Sequence, residues 1–159
     1  MAVSMTVIGI PSWPWKAKLL RFAQKHQNLV EVKTAGMCYE CSRHMELLKL
    51  FDEGKKDFGQ SEYFMYQRQN KKSKKNILEK IKKFQSLYRK IKCGKHTGYP
   101  VVTDDGCRLD GSHRCSVMVH LSRPVMLVNM VSYESIFDVN RSNKIRNQVK
   151  QYRMQMYGL

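Results

Sequence analysis

Val101-Val102-Thr103-Asp104-Asp105-Gly106-Cys107-Arg108-Leu109-Asp110-Gly111-Ser112-His113-Arg114-Cys115 is the stretch on which the fold of this chain turns. Two short apolar or β-branched runs flank Asp104-Asp105-Gly106. Asp and Gly tolerate the backbone angles of a tight turn, so this pattern predicts a β-hairpin. A second Asp-Gly, at Asp110-Gly111, has a different consequence. Gly111 allows a bend where a Cβ would obstruct, and Ser112 is a good N-cap. Cys115 to Leu121 then runs on without a breaker, so the spacing predicts a helix opening at Ser112.

A helix start carries unpaired N–H groups and the positive end of the peptide dipoles, and is therefore suited to an anion such as phosphate. His113 and Arg114 stand in the first turn, where a cation works against its own helix, and that placement is more easily explained by a ligand. A competing reading stays open from the turn chemistry alone: Asp110 pairs on the surface with Arg114 or Arg108.

Outward from this box, the run Tyr99-Pro100-Val101-Val102-Thr103, Asp105-Gly106, Arg108-Leu109-Asp110-Gly111-Ser112-His113-Arg114, then an apolar helix and Val125-Met126-Leu127-Val128, resembles the nucleotide-binding core of the ParB/sulfiredoxin superfamily. The strong part of the resemblance spans about a third of the chain, and with the preceding helix it extends from Glu62 to Val131. It implies an α+β fold with a small mixed sheet and flanking helices, to which the first sixty residues would add an N-terminal α/β extension. Sulfiredoxins place their catalytic cysteine where this chain has Ser112, and Cys115 lies one turn too far along to replace it, so sulfinic acid reduction is not implied. Chromosome-partitioning ParB proteins carry a helix-turn-helix region and a dimerisation tail, and the twenty-nine residues after Met130 are too few for both.

The box is closer to that of the free amino-acid kinases and of the carbohydrate-operon members of the superfamily. That likeness implies an ATP- or ADP-dependent transfer of phosphate to a small hydroxyl compound. Asp110 would position Mg²⁺ or substrate, and Gly111, Ser112, His113 and Arg114 would hold phosphates. Asp110 and His113 would belong to the catalytic set, with Glu62 as the general base. Glu62 also fits a plainer role as an acidic residue favoured at a helix start. His96, in the loop ahead of the first strand, would be a wall residue of the pocket.

The 159 residues carry 29 Lys and Arg against 13 Asp and Glu, a net charge of +16. One domain of this length can bury a sizeable core, and the charge points to phosphate-bearing partners. Five cysteines, an odd number, with no cleavable signal pattern and no long apolar segment, argue for a reducing interior and make the cytoplasm the default location.

Nearer the start, Met5 to Ile10 reads as a strand ended by Pro11, and Trp15 opens an amphipathic basic helix through Leu19, Leu20, Phe22 and Ala23. Trp13 and Trp15 beside that helix fit a membrane surface or, more simply, core aromatics. Leu29 to Lys33 alternates as a strand. Cys38, Cys41 and His44 are three residues apart and could be part of a zinc site or a redox pair, but no second ligand pair follows, and ordinary helix residues remain the simpler reading.

From Arg68 to Lys95 there are twelve basic residues and one acidic, Glu79. Ser73 as N-cap and Ile77, Ile81, Phe84, Tyr88 and Ile91 predict a helix of about five turns closed by Gly94. Lys71, Lys72, Lys74 and Lys75, with Lys82 and Lys83 along the helix, form a cluster able to track a polyanion by counterion release. This supports an alternative class of function, a nucleic-acid-binding or nuclease module with the nucleotide pocket as switch or vestige. A strand at Pro124 to Met130 and a final basic helix with Ile145, Val149, Tyr152 and Met156 on one face complete the chain.

Overall fold

The computed structural model describes residues 1–37 and 42–159, so Cys38 and Cys41 lie outside the described residues. Strands β3 (Val101–Thr103) and β4 (Cys107–Asp110) form the expected antiparallel hairpin, with Val102 opposite Arg108. Gly106 in the turn has φ +87°, and a Cβ there would stand 2.3 Å from the Thr6 carbonyl oxygen. No other residue fits that turn without moving the N-terminal segment.

β1 (Ile8–Gly9) runs parallel to β4, and β5 (Val125–Val131) runs parallel to β3 and antiparallel to β2 (Leu29–Lys33). The sheet order is β1-β4-β3-β5-β2. The first sixty residues thus supply both edge strands of this one mixed sheet. The strand expected over Met5 to Ile10 is shorter than its apolar pattern: the Val7 N–H donates to the Gly36 carbonyl rather than into the ladder.

Alternation along the strands sorts side chains to two faces. One face presents Val101, Cys107, Leu109 and Val131 to α1 (Pro14–Lys25) and to the C-terminal helix, Val139–Tyr157. Trp15 is buried, sets its ring edge-on to Tyr133 at 5.4 Å and donates from Nε1 to Gln148 of the C-terminal helix at 3.0 Å. Trp13 packs edge-on to Tyr152. The tryptophans are therefore core aromatics that join the first helix to the last. Of the face expected on the last helix, Ile145 and Val149 are buried, while Met156 is exposed.

The opposite face of the sheet, with Val102, Met126 and Val128, is covered by the helix that follows the box, Ser112–His120, through Cys115. Behind it pack α2 (Ser42–Asp52), α3 (Glu62–Gln69) and α4 (Lys74–Lys92), and with them the helices after β4 and β5 become α5 (Ser112–His120) and α6 (Val139–Tyr157). α4 is capped by Ser73, whose Oγ accepts from the Asn76 N–H, and buries Ile77, Ile81, Phe84 and Tyr88. Each of these contributes about 1.5–3 kcal/mol of burial energy as an upper bound. The Tyr88 hydroxyl donates to Asp52, whose other oxygen meets His120 at 2.7 Å, so α4, α2 and α5 are tied at one point. The chain is a mixed α/β protein with six α-helices and a five-stranded mixed sheet among the described residues. None of the described helices is long and apolar enough to cross a membrane.

Candidate functional site

β1 runs parallel to β4 with its last residue, Gly9, beside Arg108, and β4 ends at Asp110, two residues before α5 begins at Ser112. The residue between β4 and α5 is Gly111, with φ +96°, and a Cβ on it would meet Pro100 Cα at 2.6 Å. The N-cap is therefore Gly111 in a left-handed conformation, and Ser112, expected as the cap, is instead the first helical residue. The close approach to Pro100 explains the difference: the chain must turn one residue earlier than a serine cap would turn it. The N-terminal N–H groups of α5 consequently have no side-chain cap.

A cleft of about 450 Å³ opens at this point. Its lining joins Asp110, Gly111, Ser112, His113 and Arg114 of the box with Arg108 of β4 and Lys16 of α1. The cations thus come from three separate elements. Asp110 is exposed at the rim, and among the described residues it forms no ion pair with Arg108 or Arg114. Arg114 is fixed by its Nε–H, which donates to the Thr97 carbonyl at 2.8 Å. Gly98 keeps that loop close to the guanidinium, since a Cβ there would lie 3.3 Å from Arg114 Nη2. Held at Nε, the guanidinium keeps its outer nitrogens as the donors best suited to an oxyanion.

His113 is sandwiched. Phe84 stacks on it with 4.5 Å between ring centroids, and His44 meets it edge-on at 4.6 Å. Burial, reinforced by Arg114, Lys80 and Arg108, holds its pKa below the ordinary histidine value, so the ring is neutral at physiological pH. His113 and Ser112 also line a second cavity, of about 510 Å³, whose other walls include His44, Tyr63, Lys80 and Lys83. Leu87, Ser112 and His113 thus line both spaces. Ser112 Oγ lies 3.2 Å from His44 Nδ1, and Ser116 Oγ lies 3.3 Å from the same nitrogen while donating to the Ser112 carbonyl at 2.9 Å.

Asp110, Gly111, Ser112, His113 and Arg114 all line the cleft. Glu62 stands apart. It is exposed at the start of α3, where its N–H donates to Glu46, and the residues of α3 that reach the second cavity are Tyr63 and Gln67. Ser61 caps α3 and sets this phase, because the apolar Tyr63 and Phe64 turn inward and swing Glu62 out. His96 is exposed near Arg114 and lines two shallower spaces beside the cleft rather than the cleft itself. Lys71, Lys72, Lys74, Lys75, Lys82 and Lys83 are all exposed.

Sequence reasoning missed Lys16 and His44 as site residues. Lys16 reads as one more lysine on a solvated helix face, and His44 reads as a companion of Cys38 and Cys41. Only the pairing of β1 with β4 brings α1 to the box, and only the packing of α2 on α5 brings His44 to Ser112. Among the described residues no group of three or more His, Cys, Asp or Glu could hold a metal ion. No family model matches the chain, and neither a curated protein nor a solved structure matches it.

Proposed function

We propose that the chain is a ParB/sulfiredoxin-like nucleotide-binding protein that moves a phosphoryl group from ATP or ADP to a small hydroxyl compound. The observation that carries this reading is the convergence of Lys16, Arg108 and Arg114 on the uncapped start of α5 in a cleft of about 450 Å³. Phosphoryl transfer is catalysed mainly by positioning and by charge stabilisation, and this cleft offers both. The N–H groups after Gly111, the Ser112 hydroxyl and the Arg114 guanidinium hold phosphate oxygens. The neutral His113 ring adds one donor.

Asp110 suits a cation carried by the nucleotide. Mg²⁺ commonly takes one or two carboxylates, its remaining positions filled by phosphates and water, so a single rim carboxylate is a sufficient protein ligand. Bound in this way, Mg²⁺ would neutralise charge developing on the phosphoryl oxygens. Glu62 is exposed at the start of α3 and does not line the cleft, so it carries no base role in this reading.

Calorimetric titration of ATP, ADP and CTP with Mg²⁺ into the wild type and Arg114→Ala, at two salt concentrations, tests the reading. Loss of one charged hydrogen-bonding group predicts about 10- to 100-fold weaker binding in the mutant. Absence of binding by the wild type to all three nucleotides sinks the proposal.

A second reading is favoured by one specific observation. The lysines at the start of α4 are exposed and no acidic residue stands in its first turn. Under this reading the α4 cluster binds nucleic acid, with steep salt dependence, and the cleft is a switch or a vestige.

A further inference from the structure

We propose that Ser112 is itself the first phosphoryl acceptor, activated by His44, and that the protein works through a phosphoserine intermediate. This rests on the nucleotide-binding reading above. The geometry points to it because Ser112, with Leu87 and His113, lines both the cleft and the second cavity, and of the three it alone carries a hydroxyl.

The arrangement around Ser112 Oγ is that of a nucleophile with its base. His44 Nδ1 is 3.2 Å away, within reach of a direct proton transfer. Ser116 Oγ lies within reach of both the Ser112 carbonyl, at 2.9 Å, and His44 Nδ1, at 3.3 Å. The tautomer that carries its proton on Nε2 leaves Nδ1 as an acceptor for the Ser112 hydroxyl, the form a base requires. The imidazole is held at that angle on several sides: Phe84 at 5.5 Å, Tyr63 at 5.7 Å and His113 at 4.6 Å between ring centroids. Rigid placement of base and nucleophile is what converts proximity into rate. Lys80 and Lys83 on the wall of the second cavity offset the charge of a phosphoryl group carried on Ser112.

The step balances within the groups named. Ser112 Oγ bonds to the γ-phosphorus of ATP as the bond from that phosphorus to the β,γ-bridging oxygen breaks. ADP leaves with that oxygen and its electron pair, and the Ser112 proton passes to His44 Nδ1. In the second half, the hydroxyl of an acceptor in the second cavity bonds to the phosphorus as the Ser112 Oγ–P bond breaks. The acceptor loses its proton to solvent, and His44 returns a proton to Oγ.

The full-length chain is incubated with Mg²⁺ and ATP in the absence of any acceptor, quenched in acid, and analysed by intact mass and peptide mapping, with nucleotide binding measured in parallel by calorimetry. The expected result is a mass gain of one phosphoryl group that maps to Ser112. Ser112→Ala removes it, and His44→Gln slows its appearance about 100-fold or more while nucleotide binding is retained, the size expected for a lost general base. Wild-type protein that binds ATP yet gains no phosphate, or a phosphate that maps elsewhere, overturns the intermediate and leaves the nucleotide reading standing. Failure to bind ATP at all removes that reading, and the intermediate with it. Should Ser112→Ala fail to fold, the peptide map of the wild type still decides, because it locates the phosphate directly.

Discussion

Phe84 of α4 lies against the His113 imidazole with 4.5 Å between centroids and 23° between ring planes. The contact joins the most basic helix of the chain to the first turn of the helix that opens the cleft. Phe84 is buried and also touches Phe51 and His44. Truncating it removes packing on three sides. Phe84→Ala is expected to cost about 3–5 kcal/mol, and Phe84→Leu less, about 1.5 kcal/mol. Urea unfolding monitored by circular dichroism measures both. A loss below about 1 kcal/mol for the alanine variant would show that α4 is not anchored through this ring.

His113 makes stability depend on pH in a direction fixed by its burial. Its folded pKa lies below the ordinary value, first because of desolvation and then because Arg114, Lys80 and Arg108 disfavour a further cation. The unfolded chain therefore binds the proton more readily than the folded one. Stability contributed by the neutral ring is fully present above the unfolded pKa, is lost as pH falls below it, and stops falling once pH passes below the folded pKa. His113→Gln is expected to flatten the stability profile on the acid side of neutrality. Thermal unfolding at a series of pH values checks this, and an unchanged slope in the mutant assigns the dependence to another group.

A phosphate placed beside His113 reverses the balance, since an anion favours the protonated ring. Nucleotide binding in the cleft is thus expected to take up protons in weakly acidic buffer. Calorimetry in two buffers of different ionisation enthalpy reads the uptake directly, and His113→Gln should abolish it. Equal binding heats in the two buffers would place the phosphates away from this side of the cleft.

Much of the fold is legible in the residues around the box because local chemistry determines them. Asp-Gly at the hairpin, Gly111 before α5 and the spacing from Ile77 to Tyr88 each leave few backbone choices. The bounds of β2 and α4 follow the same logic: alternation in Leu29–Lys33, and Ser73 as a cap that accepts from the Asn76 N–H. What cannot be read locally is partnership across the sheet. Nothing in Met5 to Ile10 announces that Ile8 will pair with Cys107, and it is this pairing that carries Lys16 to the cleft. Likewise Asn129 reads as an ordinary strand residue, yet it is buried, donates to the Ala23 carbonyl at 2.8 Å and accepts from the Asn28 N–H at 2.9 Å, which fixes the corner between α1 and β2. Glu62 illustrates the opposite error. A helix-start glutamate is recognisable in sequence, but which way it faces is decided by where Tyr63 and Phe64 are buried.

Gly111→Ala tests whether the cleft depends on the left-handed turn. The residue has φ +96°, and the added Cβ would lie 2.6 Å from Pro100 Cα, a backbone atom that cannot yield by a rotamer change. Left-handed strain alone costs about 1–2 kcal/mol, and the displaced contact adds to it. The expected outcome is a destabilised protein with nucleotide binding weakened beyond what the stability loss explains, because the start of α5 is pushed out of the cleft. Thermal unfolding and calorimetry on the same sample separate the two effects. Binding at the wild-type level would mean that the phosphates are not held at this helix start.

Lys74 opposes its own helix. It is the first residue of α4, exposed, at the positive end of the dipole, with no acidic residue in that turn. Lys74→Glu reverses the interaction and is expected to stabilise the protein by about 0.3–1 kcal/mol. The substitution faces no carboxylate one turn along, since Leu78 occupies that place. The neighbouring Lys75 would be a poorer choice, because a glutamate there would stand four residues before Glu79, a like-charge spacing that costs stability. If the basic cluster binds nucleic acid, the same change weakens the affinity for duplex DNA and lowers the salt slope by about one unit, as expected when one phosphate contact is lost. Fluorescence anisotropy with a labelled duplex at several salt concentrations, run beside thermal unfolding, reads both consequences. A more stable variant whose DNA affinity is unchanged would mean that Lys74 does not contact a polyanion and that its charge serves only the solvated face of α4.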